Sequence, residues 1–453
     1  MIYSIFDIET DGLLPTVTKI YCLSYEKYDK NILLEKKTLL KEEEIIEFIN
    51  LQEILIGHNI IRYDIPVLEK IYGSRINIKV KLIDTLAISW YLIHKPKAKH
   101  GLEAYGEKFK FPKIKVENSQ WKEGDINLMK SRCERDVEIN TILFKKQFNY
   151  LLNLYGTEEK AIILIKYLKF KMECLRDQES VKLSLNKREC QRHKLDLEFF
   201  IGKKVTLLAE NMPKEVFKKA PQKMYLKNGE LSALGVKWKI LLKRLNLKED
   251  SLTIYKRGNP GSSAQLKSWL YKLGWVPITF EASKQTGKNV EKVSLPFGRG
   301  LCQSVKSLFE VNPILENLDN LLKAKHRIGI FKSFLKHVDA NGNIYANANG
   351  LTPSMRYMHS APLVNLPGVD KFYGKEIRSV ITVPNQNYSM IGCDIKGLES
   401  TTADYWMYKY DPKYVEEKRK PGYDPHTAFA VFSNKMTKEE EDFIKWYKGK
   451  NKL

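Results

Sequence analysis

Residues 2–12 read IYSIFDIETDG, and this stretch decides the fold of the first third of the chain. Residues 2–8 have the β-branched and aromatic content of a short strand, with Gly12 in the turn beyond it. Side chains alternate across a strand, so Asp7 and Glu9, two apart, point to the same face. Two carboxylates side by side on a buried strand repel each other and lose hydration. A divalent cation between them resolves both costs. The plainer reading is a strand end with solvated acids, and the rest of the chain has to choose.

At 453 residues the chain has room for two or three domains, each with its own core. A hydrophobic content of 43% with 29% charged residues is that of a soluble globular protein. No run of about 18 apolar residues suggests a membrane span. The start lacks the basic and apolar regions of a secretory signal, so a cytoplasmic setting is expected. The six cysteines include no CxxC pair, which suits free thiols in a reducing compartment better than disulfides or zinc.

The net charge is +22, which points to a polyanionic partner. It is unevenly spread. Residues 1–50 hold six Lys and ten acids, net −4, whereas residues 201–250 hold twelve Lys and Arg and five acids, net +7. An acidic N-terminal region before a basic middle suits a cation-dependent site beside a phosphate-binding surface.

Strands are expected at 19–28 and 32–40, then a short acidic helix at 41–51 and a strand at 53–56. The stretch GHNIIRYDIPVLEKIYG follows, with Asp64 opening a helix. His58, Asn59 and Asp64 follow a strand terminus in an α/β pattern, where ligand sites gather. An apolar helix is expected at 83–92, and a long one at 127–152 carrying SRCERDVEIN.

Asp7, Glu9, Asp64 and Asp136 form an ordered set: FDIETDG, then GHNIIRYDIPVL, IDTL and CERDVEI. The set resembles the DnaQ-like (DEDD) 3′–5′ exonucleases, and in particular the proofreading domain of family A DNA polymerases. The resemblance implies an α/β exonuclease domain with a ribonuclease H-like mixed sheet over residues 1–153. It also implies two Mg²⁺ ions, or Mn²⁺, on the four carboxylates. Two such ions activate water and stabilise the leaving 3′-oxygen of a phosphodiester. Asp7 would bridge the ions, Glu9 orient the water, and Asp64 and Asp136 complete the shell. Asn59 would contact the DNA. One position departs from the pattern. The tyrosine branch of the family has Tyr four residues before the last Asp, where this chain has Arg132; the histidine branch has His where this chain has Ser131. Pairing of Arg132 with the scissile phosphate and a weakened activity are both open.

Residues 154–349 are expected to hold the helical polymerase thumb and the helices at the base of the palm. Helices are expected at 161–179 and 186–211. Beyond them, residues 212–242 mix Lys, Pro and aromatic residues as a backbone-tracking surface would. In GNPGSSAQLKSWLYKLGWVP, 258–277, Ser262 or Ser263 caps a helix burying Leu266, Trp269, Leu270 and Leu273. This segment resembles the thumb of phage-type family A polymerases. KAKHRIGIFKSFLKHV, 323–338, resembles their basic thumb helix, with Lys325 and Arg327 as DNA contacts.

Residues 350–453 resemble an incomplete α+β palm. The series R-x-x-H-x-x-P, N-L-P-G and Y-G-x-x-I-R would set Arg356 in the minor groove at the primer terminus. A buried strand is expected at 388–394, in YSMIGCDIKGLES, resembling polymerase motif A. By that match Asp394 and the carbonyl of Ile395 would bind metal, Glu399 would exclude a ribose 2′-hydroxyl, and His426 would hold the phosphates of a dNTP. Residues after 433 form a charged helix, with no counterpart of the fingers helix or motif C. The resemblance therefore implies the N-terminal subunit of a split polymerase that acts on primer-template and single-stranded 3′ ends of DNA, completed by a second polypeptide. Two rival readings are a stand-alone exonuclease that uses the polymerase remnant as a clamp, and a non-catalytic DNA-binding subunit.

Overall fold

The computed structural model describes residues 2–450 apart from 96–97, 118–120, 122–124, 284–286, 296–299, 386 and 396. Two compact units divide the chain, residues 1–388 and 389–453.

The first unit begins with a five-stranded sheet in the order β3-β2-β1-β4-β5. Its strands are β1 (Ile2–Thr10), β2 (Ile20–Asp29), β3 (Ile32–Leu39), β4 (Ile54–Gly57) and β5 (Lys81–Asp84). β1, β2 and β3 form an antiparallel meander, while β4 lies parallel to β1 and β5 parallel to β4. The sheet is therefore mixed, and β1 is its central strand. Ile5, Phe6 and Ile8 of β1 are buried on both faces, as a central strand requires. Each such side chain contributes on the order of 1.5–3 kcal/mol through removal from water.

Helices α1 (Glu42–Asn50), α2 (Asp64–Tyr72), α3 (Thr85–Leu92) and α4 (Leu102–Lys108) accompany the sheet. The 30-residue helix α5 (Ile126–Tyr155) starts on Asp125, whose carboxylate accepts from the amides of Asn127 and Leu128. It ends at Gly156, left-handed with φ 77°, a conformation that favours glycine. Met129, Cys133, Asp136, Val137, Asn140 and Phe144 are buried at helical spacing along it. The Cys133 thiol donates to the Asp7 carbonyl at 3.2 Å, which seats α5 on β1. The core of this region continues into α6 (Glu158–Ser180) and takes in Ala348 and Leu351.

Further cores follow. Helix α7 (Lys187–Asn211) packs on the helix Glu316–His337 around Phe331 and Phe334. Ser262 caps the helix Ser263–Lys272, whose Leu266, Trp269 and Leu270 are buried, with Leu273 packed against the same core. Short strands Asn347–Leu351 and Tyr357–Ser360 pair antiparallel.

Among its described residues the second unit holds four helices, Leu398–Tyr408, Pro412–Lys418, Pro425–Phe432 and Lys438–Lys450. Val415 is fully buried in it, whereas Tyr405, Trp406, Tyr410, Phe429 and Phe432 are exposed.

Two expectations from the sequence are corrected. Ile83 lies in β5, and the helix begins only at Thr85. The strand expected at 388–394 is absent: Tyr388, Met390 and Ile391 are exposed, and none of these residues pairs with another strand among the described residues. A run of strand-forming residues gains its order from paired partner strands, and among the described residues no strand pairs with it.

Candidate metal centre and nuclease site

Alternation along β1 puts Asp7 and Glu9 on one face, opposite Ser24 and Cys22 of β2. Beyond Glu9 the pairing register shifts at Thr10. The Thr10 hydroxyl then bonds the Gly12 carbonyl and the Tyr63 hydroxyl, fixing the strand exit against the turn before α2.

That turn begins after β4. Asn59 is left-handed, with φ 68°, and its amide donates to Asp84 Oδ1 at 3.0 Å. Asp84 also accepts from the amides of Ile61, Leu86 and Ala87. One buried carboxylate thus ties the 59–61 turn to the first turn of α3. Burial pushes Asp84 up to about 6, while these four amides pull the other way. The turn delivers Asp64 to the first position of α2, facing the cleft.

Asp7, Glu9, Asp64 and Asp136 line one cleft of about 220 Å³, together with His58, Asn59, Tyr63, Leu102 and Lys113. Carboxylate oxygens of Asp7, Glu9 and Asp136 lie within 4.8 Å of one another. Glu9, Asp64 and Asp136 are buried and Asp7 is partly exposed. Burial, together with the charges of Asp136, Asp64 and Glu9, holds Asp7 well above the usual carboxylate range. Burial pushes Glu9 up to about 7 against the pull of Arg132 and Lys113. It pushes Asp64 up to about 7 as well. Asp136 is raised by burial, with Lys113 opposing.

The acids alone would repel, and among the described residues two cations reach them. Arg132 Nε donates to Glu9 Oε1 at 2.7 Å, and its other arm donates to the Ile114 carbonyl at 2.6 Å. Its guanidinium also lies over the Trp121 ring. Lys113 Nζ contacts Asp136 Oδ2. The other oxygen of Asp136, Oδ1, is buried without a hydrogen-bond partner, and so is Asn59 Oδ1. A hard-oxygen donor set with open buried acceptors fits a divalent cation such as Mg²⁺ or Mn²⁺. His58 bonds Thr85 through Nδ1, and burial lowers it to about 3, so its imidazole is neutral near pH 7.

The structure brings together four of the acids read from the sequence, and Asn59, also a candidate from the sequence, lines the same cleft. Lys113 escapes sequence reading, because nothing separates it from Lys108, Lys110 and Lys115 around it. The remaining candidates lie elsewhere. Lys325 is exposed on the helix Glu316–His337, and Arg327 of the same helix donates to the Phe372 carbonyl at 3.0 Å. Arg356 is exposed in the turn between the paired strands Asn347–Leu351 and Tyr357–Ser360. In the second unit, Asp394 and Ile395 are exposed before the helix Leu398–Tyr408, Glu399 lies in its first turn, and His426 is exposed in the first turn of Pro425–Phe432. Among the described residues, Asp394 joins no cluster of metal-ligating side chains.

Residues 4–113 match the family model RNase_H_2, of the RNase H superfamily. No curated protein matches the chain in sequence. Among solved structures, the chain is similar to the POL domain of Pol1 from M. smegmatis, in complex with DNA primer-template and dNTP. The TM-score is 0.50 at 12% identity, covering 86% of this chain and 56% of that one. The chain thus has an RNase H-like N-terminal domain and the fold likeness of a DNA polymerase domain, of which it spans little more than half. Among the described residues, no helix is long and apolar enough to cross a membrane.

Proposed function

We propose that the chain is a metal-dependent 3′–5′ DNA exonuclease fused to the first part of a family A polymerase, of phage type, that proofreads during DNA replication. The observation that carries this reading is the convergence of Asp7, Glu9, Asp64 and Asp136 on one cleft of an RNase H-like sheet. Held by these carboxylates, divalent metal would supply a nucleophilic hydroxide and charge stabilisation for the leaving 3′-oxygen. Asp7 and Glu9 present their oxygens from the rigid central strand, and Asp136 closes the cluster from α5. Asn59 offers its open Oδ1 to the 3′-terminal nucleotide, on a turn that Asp84 keeps in place. The neutral His58 backs the cleft without adding charge. On this reading the domains are the exonuclease at 1–153, thumb and palm-base helices at 154–349, and a partial palm at 350–453.

The exonuclease reading predicts Mg²⁺-dependent release of mononucleotides from a 3′-labelled single strand, abolished by Asp7→Ala. Absence of digestion with both Mg²⁺ and Mn²⁺ would refute it. The polymerase reading adds that Arg356, Lys325 and Arg327 contact primer-template, and that Asp394, Ile395, Glu399 and His426 form half of a nucleotidyl-transfer site. On this reading a fingers segment and motif C would complete that site. Co-expression with a chain bearing fingers and motif C should give template-dependent extension that Asp394→Ala removes; no extension from any such pair rejects the split polymerase and leaves the stand-alone exonuclease. One observation favours the non-catalytic alternative: Glu9 and Asp136 already have cationic partners. Salt-sensitive DNA binding without any nuclease activity would select it.

A further inference from the structure

Asp7, Glu9, Asp64 and Asp136 carry four negative charges when ionised, which two divalent ions would balance. The chain, however, sets two positive charges of its own against these acids, Lys113 from within the cleft and Arg132 on Glu9. Arg132 donates to Glu9 at 2.7 Å, and Lys113 contacts Asp136. The partners are deeply buried, Glu9 at 6% and Asp136 at 1% exposure, so water screens neither pair well.

Both cations are fixed in place. Arg132 is held from three sides, by Glu9, the Ile114 carbonyl and the Trp121 ring. Lys113 sits on a strap, residues 109–115, that α5 clamps down. Arg135 donates to the Pro112 carbonyl at 3.2 Å, and its guanidinium lies 3.8 Å from the centre of the Phe111 ring. Beneath the strap Gly106 permits a close approach: a Cβ there would lie 2.7 Å from the Phe111 carbonyl oxygen and 3.2 Å from the Lys113 backbone nitrogen. The cleft keeps one open buried acceptor on the cluster, Asp136 Oδ1, and among the described residues no salt bridge reaches Asp7 or Asp64.

We propose that Lys113 takes the place of a second metal ion, so that this centre holds one divalent cation and admits another only when Lys113 leaves Asp136. With Lys113 and Arg132 counted, the net charge of the ionised cluster is −2, the match for a single divalent ion. Asp7, Oδ1 of Asp136 and the Glu9 carboxylate, of which Arg132 takes only Oε1, are the ligands left to that ion, with Asp64 lining the same cleft. Lys113 is a positioning residue on this view, setting metal stoichiometry through Asp136. The inference rests on the metal-centre reading above.

The test is a Mn²⁺ titration of the full chain, followed by calorimetry and by the electron paramagnetic resonance signal of free Mn²⁺. The wild type should bind one Mn²⁺ per chain. Lys113→Met should bind two, the second on the order of tenfold tighter than any second binding by the wild type, because a unit charge has left a buried contact. Lys113→Arg, which keeps the charge, should return to one. Circular dichroism melts establish that each variant is folded, and Lys113→Gln replaces the methionine variant if that one is not. Two ions on the wild type, unchanged in the uncharged variants, would overturn this proposal while leaving the metal centre standing. No Mn²⁺ on any form would overturn both.

Discussion

Arg132 Nε donates to Glu9 Oε1 at 2.7 Å, joining the long helix α5 to the central strand β1 beside the carboxylate cluster. The position four residues before Asp136 thus holds a side chain that faces the cluster, since residues four apart share a helix face. The two outcomes open from sequence were a partner for the scissile phosphate and a weakened site. The geometry offers a different role: Arg132 neutralises and orients the acid expected to orient the attacking water.

Removing that guanidinium leaves a buried carboxylate without its partner. Arg132→Ala is therefore expected to destabilise the metal-free chain by about 3 kcal/mol, in the range for breaking a buried ion pair. Urea unfolding monitored by circular dichroism measures it. Arg132→Lys should fall between, because a lysine cannot bond Glu9 and the Ile114 carbonyl with one fork. Saturating Mn²⁺ should shrink the loss in both variants, since the ion supplies positive charge to the same acids.

Stability should also depend on pH in an unusual direction. Glu9 and Asp64 are both pushed up to about 7, chiefly by burial, from ordinary values of 4.5 and 3.8. Between those ordinary values and about 7 the folded chain keeps protons that the unfolded chain has lost, so stability falls as pH rises through that window. The metal-free protein is expected to melt at a lower temperature at pH 7.5 than at pH 5. Metal binds the deprotonated carboxylates, so its stabilising effect should grow over the same interval. Melting curves at both pH values, with Mg²⁺ and with a chelator, decide this.

Asp7 and Glu9 were legible because a period of two is a property of the strand itself, and Asp64 and Asp136 because their order along the chain matched a known pattern. The cations were not. Lys113 is one lysine among several in a basic loop, and only the clamp by Arg135 and the close approach at Gly106 bring it to Asp136. Arg132 was noticed as a departure, but its partner lies 123 residues away in sequence. Residues 388–394 show the opposite failure. Their composition is that of a buried strand, yet pairing comes from neighbours, and these residues stay exposed and unpaired. Ile83 and Asp84, the end of β5, read as helix because the four residues KLID run directly into the apolar helix α3.

Asp84 is expected to matter to the site without touching its contents. It accepts four backbone amides, from Asn59, Ile61, Leu86 and Ala87. Asp84→Asn keeps the shape but sets an amide NH₂ against some of those donors. A loss of about 2 kcal/mol in stability is expected, the range for hydrogen bonds to a charged group. Exonuclease activity should fall with it, because the turn carrying Asn59 loosens, while the number of Mn²⁺ ions bound stays unchanged.

Gly106 offers the sharpest separation between the strap and the acids it covers. An alanine Cβ would meet the Phe111 carbonyl oxygen at 2.7 Å, Ile139 Cδ1 at 3.0 Å and the Lys113 nitrogen at 3.2 Å. Two of these atoms are backbone, so the strap has to shift, at a cost on the order of 1–3 kcal/mol. Gly106→Ala changes no charge and touches no carboxylate. It should nevertheless draw Lys113 from Asp136 and strengthen a second Mn²⁺ binding event, as Lys113→Met does. Hydrogen exchange across residues 109–115 should rise in parallel. Unchanged exchange with unchanged metal binding would show that the strap tolerates the methyl group, and that the Lys113–Asp136 contact does not depend on how closely the strap lies on α4.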